Sequence, residues 1–160
     1  MTRRVIRTAL GQFTAAAEDG AVTELSVGVL PAKEAELPED AAVLGRLESQ
    51  LEEYARGERK AFDLPVRLEG TDFQRLVWAE LQKIPYGETR SYGQIASAIG
   101  RPTAGRAVGR ACGKNRLLLL VPCHRVVGST GSLTGFSAEG GVKTKLKLLE
   151  LENHHRRKPE

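Results

Sequence analysis

The chain has 160 residues, 41 % hydrophobic and 28 % charged, with a formal net charge of +4 and a pI near 9.3. This is the balance of a soluble globular protein, with apolar material for one compact unit or two small lobes. It excludes a disulfide framework, because only Cys112 and Cys123 are present, and a membrane span, because the longest apolar run is residues 117–121.

The N-terminus, MTRRVIRTAL, lacks the apolar stretch of a signal peptide. We therefore expect a cytoplasmic protein with reduced thiols (nuclear, were the source eukaryotic). The mild basicity suits a nucleic-acid partner without demanding one.

In chain order, residues 11–17 and 21–30 read as strands, with the turn signal Glu18-Asp19-Gly20 between them. Residues 31–38 read as a loop. Leu44, Leu47, Leu51 and Tyr54 recur at helical spacing, which predicts a helix over 40–56 with Gly57 at its C-terminal end. Residues 62–68 read as a further strand. This first stretch, 1–68, carries no chemical motif and is expected to act as structural support.

The next stretch, 69–153, has a different character. Thr71 or Asp72 caps a helix with Phe73, Leu76, Val77, Leu81 and Ile84 on one side, and Pro85-Tyr86-Gly87 stops it. Ser91 caps a short helix over 92–99. Gly100-Arg101-Pro102 is a tight turn, and a third helix runs over 103–112. Two short helices joined by such a turn form a helix-turn-helix candidate. In the third helix Arg106 and Arg110 alternate with glycines and alanines. Small residues weaken a helix but let its backbone approach another surface closely, either a DNA groove or a neighbouring helix.

Residues 121–126 read Val-Pro-Cys-His-Arg-Val. A cysteine attacks as thiolate, and an ordinary thiol titrates near ~8.5. His124 could withdraw the proton if a carboxylate held its other ring nitrogen. On a strand, however, neighbouring side chains point apart, so a bend or a bridging water is required. Glu139, Glu150 and Glu152 lie downstream, the last two in a helical pattern over 142–152. On neighbours alone Cys123 reads first as a small buried apolar residue and His124 as a satisfied core histidine, with catalysis the second reading. Cys112 reads as structural, and residues 154–160 as a solvated basic tail.

The segment Pro122-Cys123-His124-Arg125-Val126 resembles the O6-alkylguanine-DNA alkyltransferases, the methylated-DNA–protein-cysteine methyltransferases. Residues 70–74, 84–89, 91–93, 106–109, Asn115 and Leu148-Leu149-Glu150 follow that family's order and spacing. The resemblance implies an α/β (α+β) fold, with a ribonuclease-H-like N-terminal lobe and a mainly helical C-terminal lobe carrying the site. It implies direct-reversal repair, in which Cys123 irreversibly takes the alkyl group, mainly methyl, from O6-alkylguanine in duplex DNA, once per molecule and without cofactor or metal. The damaged nucleotide is flipped out through the minor groove, because the stacked base is beyond the thiol's reach.

The resemblance also implies a role for each residue. The third helix, with Thr103, Ala107, Gly109 and Arg110, lies in the minor groove, and Arg106 fills the gap in the base stack. Tyr92 contacts the flipped nucleotide and donates a proton to guanine N3. His124 acts through a water as base, Glu150 orients His124, and Asn115 steadies the turn before Cys123. Cys123 and Val126 carbonyls accept from the guanine amine, and the Ser137 backbone N–H donates to O6. The partner is double-stranded DNA bearing the lesion. The protein is expected to be monomeric in solution, with cooperative assembly on DNA and activity on O4-alkylthymine left open.

The chain departs from the family at Arg116-Leu117-Leu118, where prolines are usual after the asparagine, and at Phe136, Thr134 and Ala138-Glu139. Leu118, Thr134 and Phe136 fall at pocket positions, so O6-benzyl substrates are expected to react poorly relative to O6-methyl. The N-terminal stretch holds no Cys or His, so no zinc site is expected there.

Other readings are a lesion binder without transfer, a transcription factor and a Cys-His hydrolase. The first lacks a reactive cysteine. The second needs polar side chains along its recognition helix. The third needs an oxyanion hole and repeated turnover.

Overall fold

The computed structural model describes residues 2–28, 38–129 and 141–156, with the side chains of 141 and 142 left aside. The chain divides into two units, Met1–Leu68 and Glu69–Arg157. The boundary lies where the composition changes character.

In the first unit, β1 (Thr2–Thr8), β2 (Gly11–Glu18) and β3 (Ala21–Val27) form an antiparallel sheet in the order β1-β2-β3. Asp19 and Gly20 join β2 to β3 with φ of 53° and 78°. Both are left-handed, as the favoured two-residue hairpin turn requires, and Asp and Gly tolerate that region best. Helix α1 (Pro38–Ala55) buries Val43, Leu44, Leu47, Leu51 and Tyr54 against the sheet. Its Asp40 is buried but satisfied, accepting from the Thr2 hydroxyl at 3.1 Å and the Gly20 N–H at 3.0 Å. Strand β1 was not expected, because Arg3, Arg4 and Arg7 hide the alternation that Thr2 and Ile6 carry inward. The strand expected over 62–68 reduces to a single parallel bridge, Val66 with Val22.

The second unit is helical. Helix α2 (Asp72–Leu81) starts at Thr71 with a capping box: the Thr71 hydroxyl accepts from the Gln74 N–H, and the Gln74 side chain accepts from the Thr71 N–H. After a turn come β4 (Arg90–Ser91) and α3 (Tyr92–Ala98), where Ser91 and Gln94 repeat the same box. Helix α4 (Gly105–Gly113) packs on α2 and α3 through Val108, Ala111 and Cys112. It begins later than expected, so Thr103 sits in the preceding turn rather than in the helix. Strand β5 (Val126–Val127) pairs in parallel with β4, and α5 (Gly141–His155) closes the unit. His154 and His155 therefore belong to the last turn of α5, not to a tail.

Buried Trp78 joins α2 to α4: its indole N–H donates to the Ala111 carbonyl at 2.9 Å. Gly70 lies so close that a Cβ there would sit 2.7 Å from the indole ring. Trp78→Phe removes one of the two donors to the Ala111 carbonyl, which keeps the Lys114 N–H at 3.2 Å, and empties the space of the second indole ring beside Gly70; together these cost about 1–3 kcal/mol. A lowered denaturant midpoint with an unchanged slope is the expected outcome.

Candidate active site

Pro122 ends the buried run Leu117–Val121, and the next residues, Cys123–Arg125, form a single 3-10 turn instead of a strand. This is the bend that the adjacent Cys and His needed. A loop above the turn is tied by Asn115, whose amide accepts from the Leu117 N–H at 2.9 Å. The same side chain donates to the Val121 carbonyl at 2.9 Å and to Cys123 Sγ at 3.3 Å. Leu119 holds a left-handed φ of 69°, and Leu118 is buried and bridged to Val121. Asn115 thus pins a loop that has no proline between residues 116 and 121.

His124 is fully buried, and its Nε2 lies 2.7 Å from Glu152 Oε2. The expected partner, Glu150, is not there; it is exposed. Two residues along a helix rotate a side chain by about 200°, so Glu150 and Glu152 face opposite ways. Glu152 falls in line with buried Lys145 and Leu148, seven and four residues before it.

The Arg125 guanidinium, next along the turn, is committed to Glu152, with Nε to Oε1 at 2.8 Å and a terminal nitrogen to Oε2 at 3.0 Å. It also donates to the Ile84 carbonyl at 2.8 Å and lies over the Tyr86 ring. The Gly87 N–H, at a left-handed φ of 80°, donates to Glu152 Oε1. Residues 84–87 therefore build the wall that fixes the buried carboxylate.

These contacts set the charges. Hydrogen bonds and charge from His124 and Arg125 overcome the burial of Glu152 and hold its carboxyl far below the usual range. Burial pushes His124 down. A carboxylate can only accept, so neutral His124 carries its proton on Nε2. Nδ1 is then the lone-pair nitrogen, and it has no hydrogen-bond partner among the described residues. Burial raises Cys123, while the Asn115 hydrogen bond and Lys145 oppose that rise. Cys112, also buried, is pushed up to about 12, chiefly by burial. One 3-10 turn thus carries the cysteine sulfur and, on the next residue, the imidazole lone pair.

Parallel pairing of Ser91 with Val127 brings the start of α3 alongside the cysteine turn. Tyr92, half-buried, lies 3.8 Å from where a Cβ on Gly109 would stand. Arg106 and Arg110 are exposed on one face of α4, Ala107 is half-buried and Thr103 exposed. A Cβ on Gly105 would meet nothing within 4 Å, and one on Gly109 only ordinary contact. Packing within the unit thus does not demand glycine at either position. Val126 is buried in β5. Thr134, Phe136 and Ser137 lie outside the described residues.

The family model for the DNA binding domain of 6-O-methylguanine DNA methyltransferase matches residues 72–154. A Mycobacterium tuberculosis methylated-DNA–protein-cysteine methyltransferase is 45 % identical over 152 residues, covering 93 % of this chain and 90 % of the relative. The chain belongs to this family. The constitutive Bacillus subtilis methyltransferase is 51 % identical over 111 residues, covering 68 % of this chain and 66 % of the relative. The crystal structure of Mycobacterium tuberculosis OGT in complex with DNA matches with a TM-score of 0.86 at 43 % identity, covering 97 % of this chain and 94 % of that one. No helix among the described residues is long and apolar enough to cross a membrane.

Proposed function

We propose that this methyltransferase repairs O6-alkylguanine in duplex DNA by taking the alkyl group onto Cys123, once per molecule. The observation that carries the reading is the 2.7 Å contact between His124 Nε2 and Glu152, which leaves Nδ1 basic on the residue beside the thiol. His124 removes the Cys123 proton through one bridging water. The thiolate attacks the alkyl carbon in line; the S–C bond forms as the C–O6 bond breaks. Tyr92 delivers a proton to guanine N3, so guanine leaves neutral. Asn115 aims the sulfur, and the carbonyls of Cys123 and Val126 receive the guanine amine. The thioether product resists thiol exchange, so no second cycle follows. Free Cys112 and Cys123 suit a reducing, cytoplasmic setting.

Duplex DNA is the partner this reading requires. The close match to a family member crystallised with DNA supports it, as does the glycine-lined face of α4 with its two exposed arginines. That face enters the minor groove, and Arg106 occupies the space of the flipped nucleotide. Arg106→Ala should slow transfer from duplex by about 10- to 100-fold, because flipping costs a few kcal/mol and the guanidinium offsets part of it. Single-turnover quench measurements check this, and transfer from free O6-methylguanine base should not change.

The decisive experiment uses duplex carrying O6-methylguanine with a radiolabelled methyl. Label should move to a peptide containing Cys123, and Cys123→Ala should abolish the movement. Label remaining on DNA, or transferred by Cys123→Ala, defeats the proposal.

A further inference from the structure

The inward face of α5 carries two charged side chains, Glu152 and Lys145, with Leu148 between them, all at most 2 % exposed. Glu152 holds His124. Seven residues earlier, about 10 Å along the axis, the Lys145 ammonium lies 5.7 Å from the centre of the Tyr92 ring. Ionisation of Cys123, on the 3-10 turn, or of Cys112, on α4, would favour its charged form. A lysine is seldom fully buried, because removing an ammonium from water is expensive. The mechanism above gives this one no task.

We propose that Lys145 is a positioning residue for the reaction, its buried ammonium, on the helix packed against the cysteine turn, being the counter-charge that lets Cys123 exist as a thiolate. Helix α5 then serves both halves of the proton transfer. Glu152 fixes the tautomer of the base, and Lys145 stabilises the anion that the base creates. In a low-dielectric pocket an opposite charge acts strongly on the ionised form. The direction of the interactions agrees: Lys145 opposes the burial that raises Cys123, and thiolate charge opposes the burial that lowers Lys145. Among the described residues, the Asn115 amide also donates to the sulfur, and Cys112 is the other titratable thiol coupled to it. Arg125 is committed to Glu152. The inference rests on the alkyl-transfer reading but can be tested without DNA.

The test is the rate of Cys123 alkylation by iodoacetamide across pH, in a Cys112→Ala background so that one thiol reports. In this reaction the thiolate displaces iodide, so the profile follows thiol ionisation. Lys145→Met should react at least about tenfold more slowly near neutral pH, a midpoint shift of about one unit or more, and should converge with the parent at high pH. Lys145→Arg should keep the parent midpoint. Coincident midpoints for Lys145→Met and parent overturn the proposal. Should Lys145→Met not fold, the unmutated lysine decides. Capping Cys123 as a neutral thioether should move the Lys145 side-chain NMR titration to lower pH, and an unmoved titration refutes the pairing. These readouts stand even if no methyl moves from DNA, so failure of the charge pairing and failure of the repair reading remain distinguishable.

Discussion

Glu152→Ala should lose about 3–5 kcal/mol of stability, because it leaves buried charge on Arg125 and an unpaired donor on His124. The carboxylate satisfies Arg125 through two contacts, His124 through a third and the Gly87 N–H through a fourth. The cost should appear as a lower denaturant midpoint. Glu150→Ala, at an exposed position on the other side of α5, should change stability by less than about 0.5 kcal/mol. The pair separates the two carboxylates in one measurement.

Acid acts on the same cluster. The Glu152 carboxyl is depressed in the folded state, whereas an unfolded one titrates near ~4.3. Its stabilisation is complete above that value and is lost as pH falls toward the depressed one. His124 is also depressed by burial, against ~6.5 when unfolded. Its neutral buried form therefore costs nothing above ~6.5 and loses stability progressively below it. Stability should fall in two stages on acidification, and Glu152→Ala should flatten the lower one.

His124→Gln addresses chemistry more than folding. The amide can still donate to Glu152, but it offers no basic nitrogen to the thiol. Transfer should slow by about 10²–10⁴-fold, the usual contribution of a positioned base. Raising the pH should recover part of the loss, since hydroxide then ionises the thiol. A rate within twofold of the parent would remove His124 from the mechanism.

Local signals in this chain survived translation into structure. Thr71 with Gln74 and Ser91 with Gln94 are three residues apart, and each pair closes a capping box as the spacing predicts. Asp19-Gly20 makes its hairpin for the same reason. The adjacent Cys123 and His124 were legible as a pair, but not their geometry, because the 3-10 turn depends on Pro122 and on the Asn115 loop. The choice of Glu150 over Glu152 followed motif order. Helical phase, counted from Lys145 and Leu148, would have selected Glu152. Arg125 was least legible: its partners, Ile84, Tyr86 and Glu152, lie 27 to 41 residues away, and no local pattern encodes such a contact.

The central claim is that Cys123 accepts the alkyl group and is consumed by doing so. Its most direct test is the number of methyl groups per protein molecule after prolonged incubation with excess O6-methylguanine duplex, read by intact mass and peptide mapping. One methyl, on the peptide holding Cys123, and one repaired guanine per protein molecule are the expected result. Continued repair beyond one equivalent, or a methyl carried on Cys112 instead, would contradict it.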